Sequence, residues 1–218
     1  MKRTNYQLKD YFIEFFIVLL GITIAFWLSN LGEEKKERQL EEVYLTDIAN
    51  DLDKDIEDLT FAIYQNNKKY DQLIQGYKYY LEGGPKVSAD SLVCYAQLIG
   101  NYFHFQPNNY TYISLQQSGD FKIIKDPGLK KSLIELYKLY ELISLEQANV
   151  MDALDRNYFP VLMAKYDMIT GKVFDESYFE SPDFKNTLAF NLNEINTMLK
   201  FFGDAVKHIE RLKSDHLN

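Results

Sequence analysis

Cysteine is almost missing from this chain, with one in 218 residues. A lone thiol, Cys94, excludes an intramolecular disulfide and any zinc cluster built on cysteines. Proline (5) and glycine (10) are scarce, which argues against a loop-rich all-β sandwich. Three histidines leave few acid–base groups at neutral pH. Basic side chains are outnumbered, 24 against 32 acidic, for a net charge of −8. A nucleic-acid binder needs a basic face to meet phosphates, so no nucleic-acid partner is expected. Also lacking are the G-x-S-x-G, P-loop, G-x-G-x-x-G and H-E-x-x-H patterns, any internal repeat and any low-complexity tract.

What is present is apolar and aromatic. Hydrophobic residues reach 46%, and 17 Tyr and 15 Phe stand beside one Trp, a composition that folds. The charge is uneven. Residues 1–31 carry a net +1, whereas residues 32–82 carry seven basic and thirteen acidic side chains. The break near residue 32 marks two environments.

Phe15 to Leu28 reads FFIVLLGITIAFWL, without a charge. With its flanks the stretch covers 11–31, about 20 residues, enough for a hydrocarbon core of about 30 Å. Tyr11 and Trp27 lie near its ends, where amphipathic rings prefer the interface. A cleaved signal peptide is the alternative. Its best small-x-small site, Thr23-Ile24-Ala25, would cut inside the apolar run, so an uncleaved anchor is expected. Both flanks hold three Lys or Arg, and the positive-inside rule nearly ties. A short N-terminal tail is easily left behind while a long domain is translocated. The expected organisation is therefore a cytoplasmic tail at 1–10, a transmembrane helix at 11–31 and a helical bundle at 32–218 on the far side of the membrane.

Glu14 is an ionisable group in this apolar helix. A proton-relay role, as in single-span subunits of ion-driven motors, stands against a plainer one near the interface: snorkelling, or balancing the helix end electrostatically. Gly21 and Ala25 form a small-xxx-small pair on the face of Glu14, a candidate packing surface for another span.

From Leu45 the apolar positions run 45, 48, 52, 56, 59, 63, 70, 73, 77 and 81, with Asn66 as one polar step. That is a period near 3.6, a straight amphipathic helix rather than a 3.5 repeat. No proline interrupts the first 84 residues, so one helix is expected from the membrane to Glu82, with Gly32 as a possible hinge and Gly83-Gly84-Pro85 as the stop. Ser88 or Asp90 caps a short helix to about Ile99. The aromatic connector NYFHFQPNNY follows, then a short helix from Thr111 to Ser118, closed by Gly119 in the left-handed conformation. Asp126-Pro127 and Ser181-Pro182 are cap-and-proline starts. The next stripe is Leu129, Leu133, Leu136, Tyr140, Ile143, Gln147, Val150, Leu154 and Tyr158, with Pro160 kinking or ending it. The last stripe is Phe184, Leu188, Leu192, Ile195, Leu199, Phe202, Val206, Ile209 and Leu212. Phe121 to Ile124 could pass for a strand but has no partner. The fold class is all-α: a transmembrane helix, then an antiparallel bundle of three long helices and two short ones, burying Leu52, Leu59, Leu136, Tyr140, Leu192 and Leu199.

Asp51, Asp53 and Asp55 imitate the start of a calcium loop. Ile56 and Ala62 replace its Gly and Glu, so a solvated helix face is expected. Asp204 and His208 read as an exposed ion pair, and Cys94 as a buried structural thiol. No metal, cofactor or catalytic set emerges. Tyr102, Phe103, Phe105, Tyr110 and Tyr112 are the candidate ligand or partner surface, weighed against a packed end of the bundle. Asn109-Tyr110-Thr111 matches a glycosylation sequon, which matters only in a eukaryotic secretory setting.

Three stretches, EFFIVLLGITIAFWLSNLGEEKKE at 14–37, YLTDIANDLDKDIEDL at 44–59 and YISLQQSGDFKIIKDPGLKKSLIELYKLYE at 112–141, together resemble an uncharacterised family. It comprises single-span Bacteroidetes membrane proteins, grouped as domain-of-unknown-function family 6090. The resemblance implies a Gram-negative inner membrane with the bundle in the periplasm, and it implies no activity. The expected function is a non-enzymatic, membrane-anchored bundle acting through protein partners or as a homo-oligomer through its span. A sensory module that binds a ligand on the connector aromatics is the alternative. A motor subunit using Glu14 is a further one.

Overall fold

The structure is a computed structural model that describes residues 8–82, 89–167 and 169–217. It is all-α. Helix α1 spans Leu8–Glu82, α2 Ala89–Gly100, α3 Tyr110–Ser118, α4 Pro127–Ala153, α5 Phe159–Lys165, α6 Glu176–Phe179 and α7 Pro182–His216. Among the described residues there is no strand, only an isolated bridge between Tyr166 and Val173. The expected stop at Gly83-Gly84-Pro85 and the cap at Ser88 lie outside the described residues. Asp90 falls inside α2 and is not its cap.

Helix α1 runs through Gly32 without a break, for 75 residues in all. Gly119, at φ 76°, closes α3 in the left-handed region. Asp126 accepts from the Gly128 amide, and Ser181 from that of Phe184, each one residue before a proline. These caps satisfy donors that the first turn leaves unpaired. Phe121 to Ile124 is no strand. Its first residues form a 3₁₀ turn, Asp120–Lys122, and Ile123 and Ile124 are buried under it.

Two further short helices, α5 and α6, extend the expected set. Pro160 does not end the helix it enters. Leu154–Tyr158 widens into a π turn just before it, and α5 continues beyond. A proline ring clashes with the carbonyl four residues earlier, and the extra residue in the turn makes room for it. Helix α6 is a single turn capped by Asp175.

Helix α7 packs along both α1 and α4. Lys213 pairs with Asp53, and the Tyr80 ring meets Phe184, so α7 descends as α1 rises. Tyr140 bonds Asp55 while Lys125 bonds Glu37 and Glu41, so α4 rises alongside α1 in the same direction. Two parallel helices need a crossover. Here it is α2, the aromatic connector and α3, running down the length of α1.

Among the described residues, the buried positions of α1 are 48, 52, 55, 59, 62, 66, 69, 73 and 76. They alternate steps of four and three, a 3.5 repeat. The straight 3.6 stripe is therefore corrected, and Ile56, Ile63, Tyr70 and Tyr77 border the core instead of forming it. At the Gly76 step an added Cβ would lie 2.7 Å from the Tyr95 ring, so glycine lets α2 approach. All nine residues of the α4 stripe, from Leu129 to Tyr158, are buried as expected. On α7, Leu199 and Val206 are only half-buried, because Met198 and Ala205 take their places.

The core divides in two. One cluster, nearer the apolar end of α1, is built on Ile48, Leu59, Leu136 and Phe202, and the other on Leu73, Val150, Phe179 and Phe184. Leu136 is fully buried in the first. Leu136→Ala is expected to cost about 3 kcal/mol in denaturant unfolding, from lost transfer energy and a cavity. A change within 0.5 kcal/mol, the size of an ordinary surface substitution, would mean that Leu136 is not packed.

Candidate functional site

The apolar stretch of α1 stands apart from the bundle, and every residue from 11 to 31 is exposed. Its most apolar window has a mean hydropathy of 2.2 and no buried residue, so this helix is long and apolar enough to cross a membrane. Glu14, Gly21 and Ala25 share one helical face here, and nothing lies within 4 Å of an added Cβ on Gly21. The Thr23 hydroxyl donates to the Leu19 carbonyl at 2.8 Å, which satisfies it inside its own helix, as an apolar surrounding requires.

The connector aromatics do not share one surface. Phe105 is 2% exposed, edge-on to Tyr140 at 5.2 Å and to Phe202 at 6.3 Å. Tyr112 stacks on Tyr137 at 3.7 Å. Tyr102 and Phe103 are half-buried, and only Tyr110 is open to solvent, at 84%. The packed reading replaces the ligand-surface one at Phe105 and Tyr112, for a local reason. The connector fills the groove between α1 and α4, and its rings supply the core of that groove.

Buried polar side chains hold the connector there. At its upper end the Lys69 ammonium donates to the carbonyls of Asn101 (2.6 Å) and Ile99 (3.2 Å). Asn66 donates to the Phe103 carbonyl at 3.0 Å. From α4, the Gln147 amide accepts from the Phe105 N–H at 2.7 Å and donates to its C=O at 2.9 Å, as a neighbouring strand would. Asp55 accepts from the Asn108 backbone at 2.7 Å, from the Asn108 side chain at 3.0 Å and from the Tyr140 hydroxyl at 2.8 Å. Asp51 accepts from Thr111 at 2.6 Å. Extended backbone buried without such partners would forfeit its hydrogen bonds to water.

The charges match the helix ends they meet. Lys69 sits at the carboxyl end of α2, and Asp55 and Asp51 at the amino end of α3, each facing the dipole of opposite sign. Asp55 is fully buried, so the solvated acidic face is corrected at this position. Burial pushes its carboxyl up, while the bonds from Asn108 and Tyr140 pull it back. Asp53 instead pairs with Lys213.

Burial pushes the Lys69 ammonium down to about 8. A base depressed in the folded state contributes stability present in full above its unfolded pKa, about 10.4, and lost as pH falls through about 8. Buried phenols such as Tyr140 and Tyr158, raised by desolvation, act oppositely as pH approaches 10, each taking back about 0.4 kcal/mol by that pH. The stability of wild type relative to Lys69→Met should therefore rise by about 2 kcal/mol between pH 8 and 10, the phenols being common to both. Paired denaturant melts at the two pH values measure it. A difference that does not change with pH would remove Lys69 as its source.

No family model, curated protein or solved structure matches this chain.

Two smaller expectations also change. His208 faces Ser132, at 3.0 Å from its hydroxyl, and Asp204 pairs with Lys207 at 3.9 Å, so the Asp204–His208 pair does not form. Cys94 is exposed, since α2 turns it away from the core that Ala96 and Ile99 enter. Among the described residues no cluster of three or more His, Cys, Asp or Glu is placed to hold a metal. The polar clamp had one visible signal, Asn66 on the apolar stripe. Asp55 and Lys69 carried none, because isolated charges on a helix normally face water.

Proposed function

We propose that this protein is a membrane-anchored helical bundle that acts without catalysis, as a scaffold or complex subunit. The observation that carries this reading is the continuity of α1. One helix holds both the exposed apolar stretch 11–31 and the buried stripe 48–76. Motion or contact at the span is thereby coupled rigidly to the bundle. The buried ionisable groups support the non-catalytic part: Asp55 and Lys69 are both spent on clamping backbone. In this reading the tail is cytoplasmic, the bundle periplasmic, and the Glu14–Gly21–Ala25 face meets a second copy or another span.

The test is cross-linking and native purification of the full chain in mild detergent. Wild type is expected to be oligomeric or to carry a stoichiometric partner. Gly21→Leu with Ala25→Leu is expected to release it as a monomer, since bulk at a small-residue face blocks close approach. A wild-type chain that is monomeric and without a partner would contradict the reading. A sensory role has one observation in its favour, an open cavity of about 520 Å³ lined by Tyr102, His104, Ser144 and Met151. A ligand bound there would have to signal through the same α1.

A further inference from the structure

Residues 122–131, KIIKDPGLKK, hold four lysines and one aspartate in a chain of net charge −8. The fold brings this segment to the end of the bundle nearest the apolar stretch. Lys125 bonds Glu37 through its ammonium at 2.9 Å and Glu41 through its backbone N–H at 2.5 Å. Those partners stand six and ten residues beyond Leu31, about 9 and 15 Å along the helix. Headgroups extend about 5–7 Å from the hydrocarbon edge, and a lysine side chain spans most of the remaining gap.

Direction adds to position. Side chains on a helix lean towards its amino end, and α4 begins at this base, so Lys130 and Lys131 lean towards the span. Several neighbouring carboxylates are already engaged, Glu34 by Arg38 and Asp120 by the Tyr44 hydroxyl, while Glu33 and Glu42 stand on α1 beside Lys35, Lys36 and Arg38. Glu37 and Glu41 hold Lys125, Asp126 is 2.6 Å from His216, and Glu135 is 3.7 Å from Lys131. Lys122 and Lys130 have no carboxylate within 4.0 Å among the described residues.

We infer that Lys122, Lys125, Lys130 and Lys131 seat the base of the bundle on anionic lipid headgroups. The inference rests on the anchor reading above and holds for either orientation. Such contacts fix the tilt of span and bundle together against the membrane plane, and they weaken with salt.

The full chain would be reconstituted in nanodiscs of phosphatidylcholine alone, or with added phosphatidylglycerol, and its amines acylated and mapped by mass spectrometry. Anionic lipid should slow labelling of Lys122, Lys130 and Lys131 about fivefold, the factor matching about 1 kcal/mol per lysine. High salt should restore it, while Lys78 and Lys172, at the far end, stay unchanged. Equal labelling in the two lipids would overturn this inference and leave the anchor standing. A chain that does not enter nanodiscs would overturn the anchor reading and this inference with it.

Discussion

Asp55→Ala is expected to destabilise the bundle by about 3–5 kcal/mol, among the largest effects of any single substitution here. Three donors converge on this carboxylate: the Asn108 N–H, the Asn108 amide and the Tyr140 hydroxyl. Truncation leaves them buried without acceptors, and each orphan costs about 1–3 kcal/mol. Asp55→Asn keeps an acceptor and the volume, so its cost should be less than half as great. Urea unfolding of the three proteins at pH 7 separates the cases. If Asp55→Ala changed stability by under 0.5 kcal/mol, the scale of exposed positions, Asp55 would be a surface residue.

Phe105→Ala is expected to cost a similar 3–5 kcal/mol. The ring fills the space between Tyr140 and Phe202, and its backbone is held by Gln147. Tyr110→Ala, four-fifths exposed, should change stability by less than about 0.5 kcal/mol. The pair separates a packed connector from a ligand-binding one. A connector that presented Phe105 to a ligand would tolerate its loss in the melt and fail only in binding.

Much of this fold was legible in the residues. The α4 stripe was read position by position, because its only polar member, Gln147, is uncharged. The caps at Asp126 and Ser181 and the stop at Gly119 were legible because each uses local chemistry. The register of α1 was not. Its 3.5 repeat passes through Asp55, Asn66 and Lys69. With both charges read as solvent-facing, the stripe drifted to Ile56, Ile63 and Tyr70, each one position beyond the true core residue, Asp55, Ala62 and Lys69. Those charges are buried because of partners 30 to 85 residues away in sequence, and helical periodicity carries no information about such partners. The connector was left open between two readings for the same reason. Clustered aromatics read alike whether they cover a groove or line one, and only the position of α1 against α4 decides.

Hydrogen exchange resolved by residue across 101–109, in the full chain, tests the buried and clamped connector most directly. The Phe105 and Asn108 amides, bonded to Gln147 and Asp55, are expected to exchange as slowly as amides in the middle of α4, through global opening. Exchange of these two amides at the rate of an open loop, while α4 stays protected, would contradict it.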